Sequence, residues 1–278
     1  MALIGDMNTL QVIRQADFGV YLDGGPDGDI LLPRREMPKG EACEDDDWVN
    51  VFVYLDSEDR IIATGRTPTI RVGEFASLKV VDINRIGLFL DWGLSKDLLL
   101  PHSEEKRPLQ VGDYCVVYAY IDERTRRITA TAHLDRFLDR TPAQYSVGQE
   151  VELLIVEATD LGFKAIINSE HWGLIHKNEA FKFLRSGMQE RGYIREIRED
   201  GLINLSLQPQ GQVLRETLGE AILTKLKNNN GRLELSDKSP APLIAETFGV
   251  SKGNFKKAIG GLYKQGLIRI YPESIELL

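Results

Sequence analysis

The heptapeptide Arg85-Ile86-Gly87-Leu88-Phe89-Leu90-Asp91 matches Asp17-Phe18-Gly19-Val20-Tyr21-Leu22-Asp23, which precedes it by 68 residues. Working outward, Leu31-Leu32-Pro33 stands at the same offset from Leu99-Leu100-Pro101. A third copy follows the second by 75 residues: Gly87 maps to Gly162, Leu99-Leu100 to Leu174-Ile175, and Ile128-Thr129-Ala130-Thr131 to Ile203-Asn204-Leu205-Ser206. One register change is needed, because Arg60-Ile61-Ile62-Ala63-Thr64 precedes Arg127-Ile128-Thr129-Ala130-Thr131 by 67. Gly5, Gly73 and Gly148 open the three segments. Self-similarity of this kind marks a repeated structural module.

Each copy reads as short strands, with apolar/polar alternation, Val/Ile/Tyr enrichment and Gly/Asp/Pro punctuation. In the second copy the expected strands are 78–83, 87–92, 97–100, 114–121 and 127–132. Five short strands in about 65 residues, with a glycine-marked bend in the second, suit a small closed barrel of OB type. Closure also removes the unpaired edges that a flat sheet of that size would leave. From Val213 the period changes to three or four, with Leu214, Leu218, Ile222, Leu223 and Leu226 as an amphipathic stripe. A second short helix is expected from Ser239-Pro240 to Phe248-Gly249, and a third behind Ser251 as N-cap, with Phe255, Ile259 and Leu262 inward. A hairpin around Pro272-Glu273 ends the chain. The expected fold is therefore mostly β: three tandem five-stranded barrels at 1–68, 69–140 and 141–210, then a small α/β domain at 211–278 resembling a winged helix.

Composition sets limits on the partner. The 278 residues carry a net charge of -8, with 42% hydrophobic and 27% charged residues. The charge is uneven, because 213–278 hold ten Lys/Arg against seven Asp/Glu, a net of +3, which leaves -11 for residues 1–212. Part of the acid lies in one run, Glu41 to Asp47, read as a solvated loop. Acidic barrels that bind nucleic acid must rely on stacking and local basic residues, since a uniformly basic surface is missing. No apolar run approaches the ~20 residues of a membrane span, and the N-terminus lacks the features of a signal peptide. Two cysteines, Cys43 and Cys115, cannot make a disulfide framework and read as reduced thiols in the cytoplasm.

The order of signals inside each copy resembles the S1 RNA-binding domain. The third copy shows it at Trp172-Gly173-Leu174-Ile175-His176, and the second at Val111-Gly112-Asp113 followed by a closing Arg127-Ile128-Thr129-Ala130-Thr131. Three such repeats plus the C-terminal segment are similar to the conserved virulence factor B family of bacterial RNA-binding proteins. The resemblance implies aromatic residues on strand two and a histidine on strand three as base contacts, which carries over to Phe18, Tyr21, Phe89 and His176. Strand parity independently points Tyr21 and Phe89 outward, with Val20, Leu22, Leu88 and Leu90 inside. The copies depart from the pattern: the strand-three histidine is replaced by Pro33 and Pro101, and the outward strand-two position of the third copy is Lys164.

Cationic candidates are Arg34 and Arg35 after strand three, and Arg60 and Arg127 at matching strand starts. A surface salt bridge is an equally good reading of the last two. Trp92 has core parity, and His171 with His176 lacks the further ligands of a metal site. In the C-terminal domain the third helix carries Lys252, Asn254, Lys256, Lys257 and Lys264 as a nucleic-acid contact. Lysines supply phosphate affinity with little sequence information. No nucleotide loop, nucleophile elbow or metal-ligand motif is present, so the expectation is a non-enzyme without cofactor or metal. The expected partner is single-stranded RNA, followed by single-stranded DNA or duplex DNA through the C-terminal domain. A winged-helix transcription factor and a protein docking on the ribosome or an RNase are the alternatives.

Overall fold

A computed structural model describes residues 1–40, 43–180, 182–209 and 212–278, with side chains of the first helix from Leu218 onward. Glu41 in the acidic run, the 210/211 module boundary and the Leu214 side chain fall outside the described residues. The fold is mostly β, with three closed five-stranded barrels followed by three helices and a small sheet. The chain divides into two compact units, Met1–Leu138 and Asp139–Leu278.

In the first barrel, β1 (Met7–Ala16), β2 (Gly19–Asp23), β3 (Asp29–Pro33), β4 (Trp48–Leu55) and β5 (Ile61–Thr64) close in the order β1-β2-β3-β5-β4. The second repeats this order with β6 (Phe75–Ile83), β7 (Gly87–Asp91), β8 (Leu98–Pro101), β9 (Tyr114–Ile121) and β10 (Ile128–Thr131). The third does so with β11 (Glu150–Ala158), β12 (Gly162–Ile167), β13 (His171–His176), β14 (Gln189–Ile197) and β15 (Ile203–Ser206). In every barrel strands three and five run parallel. Strand β6 starts ahead of the expected residue 78 because Phe75 to Ser77 pair with Tyr118 to Val116 of β9, a long-range pairing that local alternation does not report.

A barrel this small closes only if its long first strand coils enough to pair on both sides. A register shift supplies that bend in each copy, between Val12 and Arg14, Val80 and Asp82, and Ile155 and Glu157. Such bulges increase local twist. The repeated glycine has a second cause. A Cβ on Gly87 would lie 2.3 Å from the Leu100 carbonyl oxygen, and Gly19 and Gly162 meet the Leu32 and Ile175 oxygens at 2.3 and 2.0 Å. Only glycine lets strand two start that close to strand three.

Within the first unit the two barrels share a core. Phe52, Tyr54 and Ile70 of the first cluster with Leu78, Leu88, Leu90, Leu98 and Leu100 of the second. Trp92 is buried, as its parity requires, and meets Phe52 edge to face at 5.6 Å, so it closes the seam between barrels. Buried Glu36 accepts hydrogen bonds from Thr64 (3.0 Å) and Ser95 (3.1 Å) and pairs with Arg66 (3.0 Å), linking the same two barrels.

In the second unit, α1 (Gln212–Asn228), β16 (Arg232–Leu233), α2 (Ala241–Phe248), α3 (Lys252–Lys264), β17 (Ile268–Ile270) and β18 (Ile275–Leu277) follow the third barrel. The sheet order is β16-β18-β17. Ser251 caps α3, its hydroxyl accepting from the Asn254 amide at 3.1 Å, and Gly249 ends α2 in the left-handed region. Leu218, Ile222 and Leu226 pack on Phe255, Ile259 and Leu262. The sequence reading missed β16, because two residues are too few to show an alternation. No described helix is long and apolar enough to cross a membrane.

Candidate nucleic-acid interface

Register aligns one outward row of side chains across strands two, three and five of every barrel. Tyr21 pairs with Leu31 and Leu31 with Ile62; Phe89 pairs with Leu99 and Leu99 with Thr129; Lys164 pairs with Leu174 and Leu174 with Asn204. The inward neighbours Val20, Leu22, Leu88 and Leu90 are buried. Alternation alone therefore placed Tyr21, Phe89 and Lys164 on the equivalent face of their respective barrels. Each barrel also exposes an apolar residue just before its closing glycine: Phe18, Ile86 and Leu161, at 56%, 60% and 67%. Ile86 and Leu161 were missed by the sequence reading, although the repeat offsets that identify Phe18 as a site residue also point to them.

Over the second barrel the face is a groove of about 510 Å³, lined in part by Ile86, Phe89, Leu99 and Pro101. Arg124 and Arg127 also line it, together with Asp59 of the first barrel. Arg127 Nε donates to Asp59 Oδ1 at 2.6 Å, which holds the Asp59 carboxyl below the usual range. Lys96 Nζ donates to the Leu55 and Asp56 carbonyls at 3.1 and 2.8 Å, and burial pushes its ammonium down. Arg60 is engaged at its own turn, donating to Asp56 Oδ2 from Nε (2.9 Å) and Nη2 (2.7 Å) and pairing with Glu58 at 2.8 Å. For Arg60 and Arg127 the salt bridge is thus what the folded chain forms. The β4–β5 turn supplies the carboxylates in both cases.

The other two faces are built differently. On the first barrel the Arg14 guanidinium lies 4.0 Å over the Tyr21 ring, and Phe18 meets that ring edge to face at 6.2 Å. Arg14 lacks a repeat counterpart and was missed; only the β1–β2 register brings it to Tyr21. Arg34 and Arg35 are exposed just after β3, with Arg35 3.8 Å from Glu36. On the third barrel Lys164 Nζ sits 3.7 Å over the Trp172 ring, a partner the sequence reading did not assign. His176 Nε2 is 3.0 Å from Asn204 Oδ1, and Asn204 donates to Glu196 at 2.9 Å. Buried His171 lies 2.9 Å from the Tyr145 hydroxyl and 2.7 Å from the Thr141 carbonyl, as a satisfied core histidine should.

In the C-terminal domain the candidate residues separate. Asn254 donates to Gln208 Oε1 at 3.1 Å, and Gln208 in turn donates to the Gly249 carbonyl. The N-terminal end of α3 is therefore clipped to the segment leaving the third barrel. Lys252 donates to the Lys238 carbonyl at 3.2 Å, and Lys256 faces Asp237 at 3.5 Å. Lys257 and Lys264 are exposed.

A family model described as the S1 domain matches residues 4–66 and 72–132, and one described as a CvfB-like winged helix domain matches residues 220–277. The uncharacterized protein YitL of Bacillus subtilis is 34% identical over 97% of this chain and 91% of its own length. Conserved virulence factor B of Staphylococcus aureus is 26% identical over 99% of this chain and 94% of its own. A crystal structure of a multidomain protein with nucleic acid binding domains from Streptococcus pneumoniae is 26% identical, covers 99% of this chain and 98% of that one, and superposes with a TM-score of 0.45. With S1 domains in front, the matching winged helix behind and relatives aligned nearly end to end, the chain belongs to the conserved virulence factor B family.

Proposed function

We propose that this chain is a non-catalytic, cytoplasmic RNA-binding protein that acts in post-transcriptional regulation, holding single-stranded RNA across its tandem barrels by stacking and local basic contacts. Its S1 and winged-helix domains are of nucleic-acid-binding types. The observation that carries the choice of single strands is the outward row on strands two, three and five. It offers Tyr21 and Phe89 as ring faces, which any unpaired base can use and a stacked duplex cannot. The working modules are 1–68, 69–140, 141–210 and 211–278. The C-terminal domain adds attraction to phosphates through Lys257 and Lys264, with little sequence information. The Gln208 clip supports this over major-groove reading, which needs the N-terminal residues of the recognition helix free to reach base edges.

A competition titration tests the reading. Labelled U-rich RNA bound to the intact chain should be displaced by unlabelled RNA, less well by single-stranded DNA, and poorly by duplex DNA. Displacement chiefly by duplex DNA would transfer the function to the transcription-factor alternative.

Asp59 supplies an independent check on the groove. Because its carboxylate holds Arg127, Asp59→Asn should release a guanidinium to phosphate. RNA affinity should then rise by roughly threefold, with the log–log salt slope steeper by about one. A weaker complex with an unchanged slope would show that Arg127 serves only to join the two barrels.

A further inference from the structure

The groove over the second barrel holds more chemistry than a stacking floor, and a part for that chemistry in base selection rests on the RNA-binding reading above. Six charged residues line it: Asp59, Lys96, Asp97, Asp122, Arg124 and Arg127. Four are committed. Arg127 and Asp59 hold each other, Lys96 binds the two carbonyls of the β4–β5 turn, and Asp122 Oδ1 accepts the backbone amides of Arg124 and Thr125 at 2.8 and 3.1 Å. Among the described residues, the Asp97 carboxylate and the Arg124 guanidinium are left without an ion pair or side-chain hydrogen bond. They lie in the same groove as Phe89.

Asp97 stands just before β8, whose Leu99 pairs with Phe89, and it lines the same groove as that ring. Burial and the nearby Asp91 and Asp82 carboxylates raise the Asp97 carboxyl above its usual range. Asp97 is exposed, so both of its carboxylate oxygens are open to a ligand that donates to them.

We propose that this groove is a nucleobase site selective for guanine, with the ring on Phe89, its N1–H and N2–H donating to the two Asp97 oxygens, and Arg124 taking the adjacent phosphate. Guanine is the one base whose Watson–Crick edge sets two donors side by side, and an ionised carboxylate offers two acceptors that match them. Adenine and cytosine put a ring-nitrogen lone pair beside their amino group, and uracil flanks its single N–H with two carbonyls. Each of these edges turns at least one lone pair toward Asp97. Single-stranded bases are open to this kind of edge recognition because nothing else occupies the edge.

Fluorescence anisotropy on the intact chain tests the proposal, using labelled oligoribonucleotides of about eight residues, within the usual site size of one OB fold. The set is an oligoadenylate, the same strand with one central guanosine, and the same strand with one central inosine, which keeps N1–H and lacks the amino group. Guanosine should bind about tenfold tighter than adenosine, the discrimination expected of a bidentate pair, with inosine between them. Asp97→Asn should bring the guanosine-to-adenosine ratio to about one while leaving the oligoadenylate affinity within about twofold. Arg124→Gln should weaken all three strands alike and flatten the salt slope by about one. Equal affinities for the three strands, or a preference that survives Asp97→Asn, would overturn guanine selection while leaving RNA binding intact. Failure of every strand to bind would overturn both readings.

Discussion

Replacing Phe89 and Tyr21 together with alanine is expected to weaken single-stranded RNA binding roughly 30-fold or more, since each lost stack is worth about 1–3 kcal/mol. The two residues should not contribute equally. Phe89 lines the open groove of the second barrel, whereas one face of the Tyr21 ring is already covered by Arg14 at 4.0 Å. Phe89→Ala alone should therefore account for the larger share. Stacking neutralises no phosphate, so the salt slope should stay as it is while the affinity falls. Phe89→Tyr, which keeps a ring in place, should recover most of the loss. An unchanged Kd for the double variant in an anisotropy titration against U-rich RNA would remove these rings from the interface.

The second large effect concerns the barrel itself. A Cβ on residue 162 would stand 2.0 Å from the Ile175 oxygen and 2.8 Å from the His176 Cα, both backbone atoms with no rotamer to move. Gly162→Ala must push β12 away from β13, and a cost of about 3 kcal/mol is expected from overpacking of this kind. Urea unfolding followed by circular dichroism would read it as a lower midpoint. Gly260→Ala is the matched control. Gly260 lies within α3 with nothing inside 4 Å of where a Cβ would stand, so alanine should stabilise by roughly 0.5–1 kcal/mol through helix propensity and a less flexible unfolded chain. Two Gly→Ala changes of opposite sign would separate a steric requirement from a conformational one. Equal destabilisation would mean that the close approach at residue 162 is not what closes the barrel.

Much of the architecture was legible in the amino-acid sequence. The repeat offsets located three barrels, and alternation put Val20, Leu22, Leu88 and Leu90 inside and Tyr21 and Phe89 outside. Ser251 and Gly249 marked the ends of two helices and perform those roles. These signals are local or strictly periodic, so the chain displays them whatever its tertiary arrangement. Ile86 and Leu161 were equally legible, since the same offsets carry Phe18 onto them. Trp172 was visible too, within the motif that identified the third barrel, but only the closeness of Lys164 gives it a place in the site.

The sequence by itself determined the three closed barrels, their order, the outward aromatic positions and the winged helix, because hydrophobic periodicity and glycine placement act over a few residues. Tertiary structure alone decided which cations remain for a ligand. Arg127 and Asp59 are 68 positions apart, and Asn254 and Gln208 are 46 apart. A charged or amide side chain can serve any of several partners of the right chemistry within reach. Which one it meets depends on how neighbouring domains dock, and the apolar residues that drive docking carry no mark of the polar pairs they bring together.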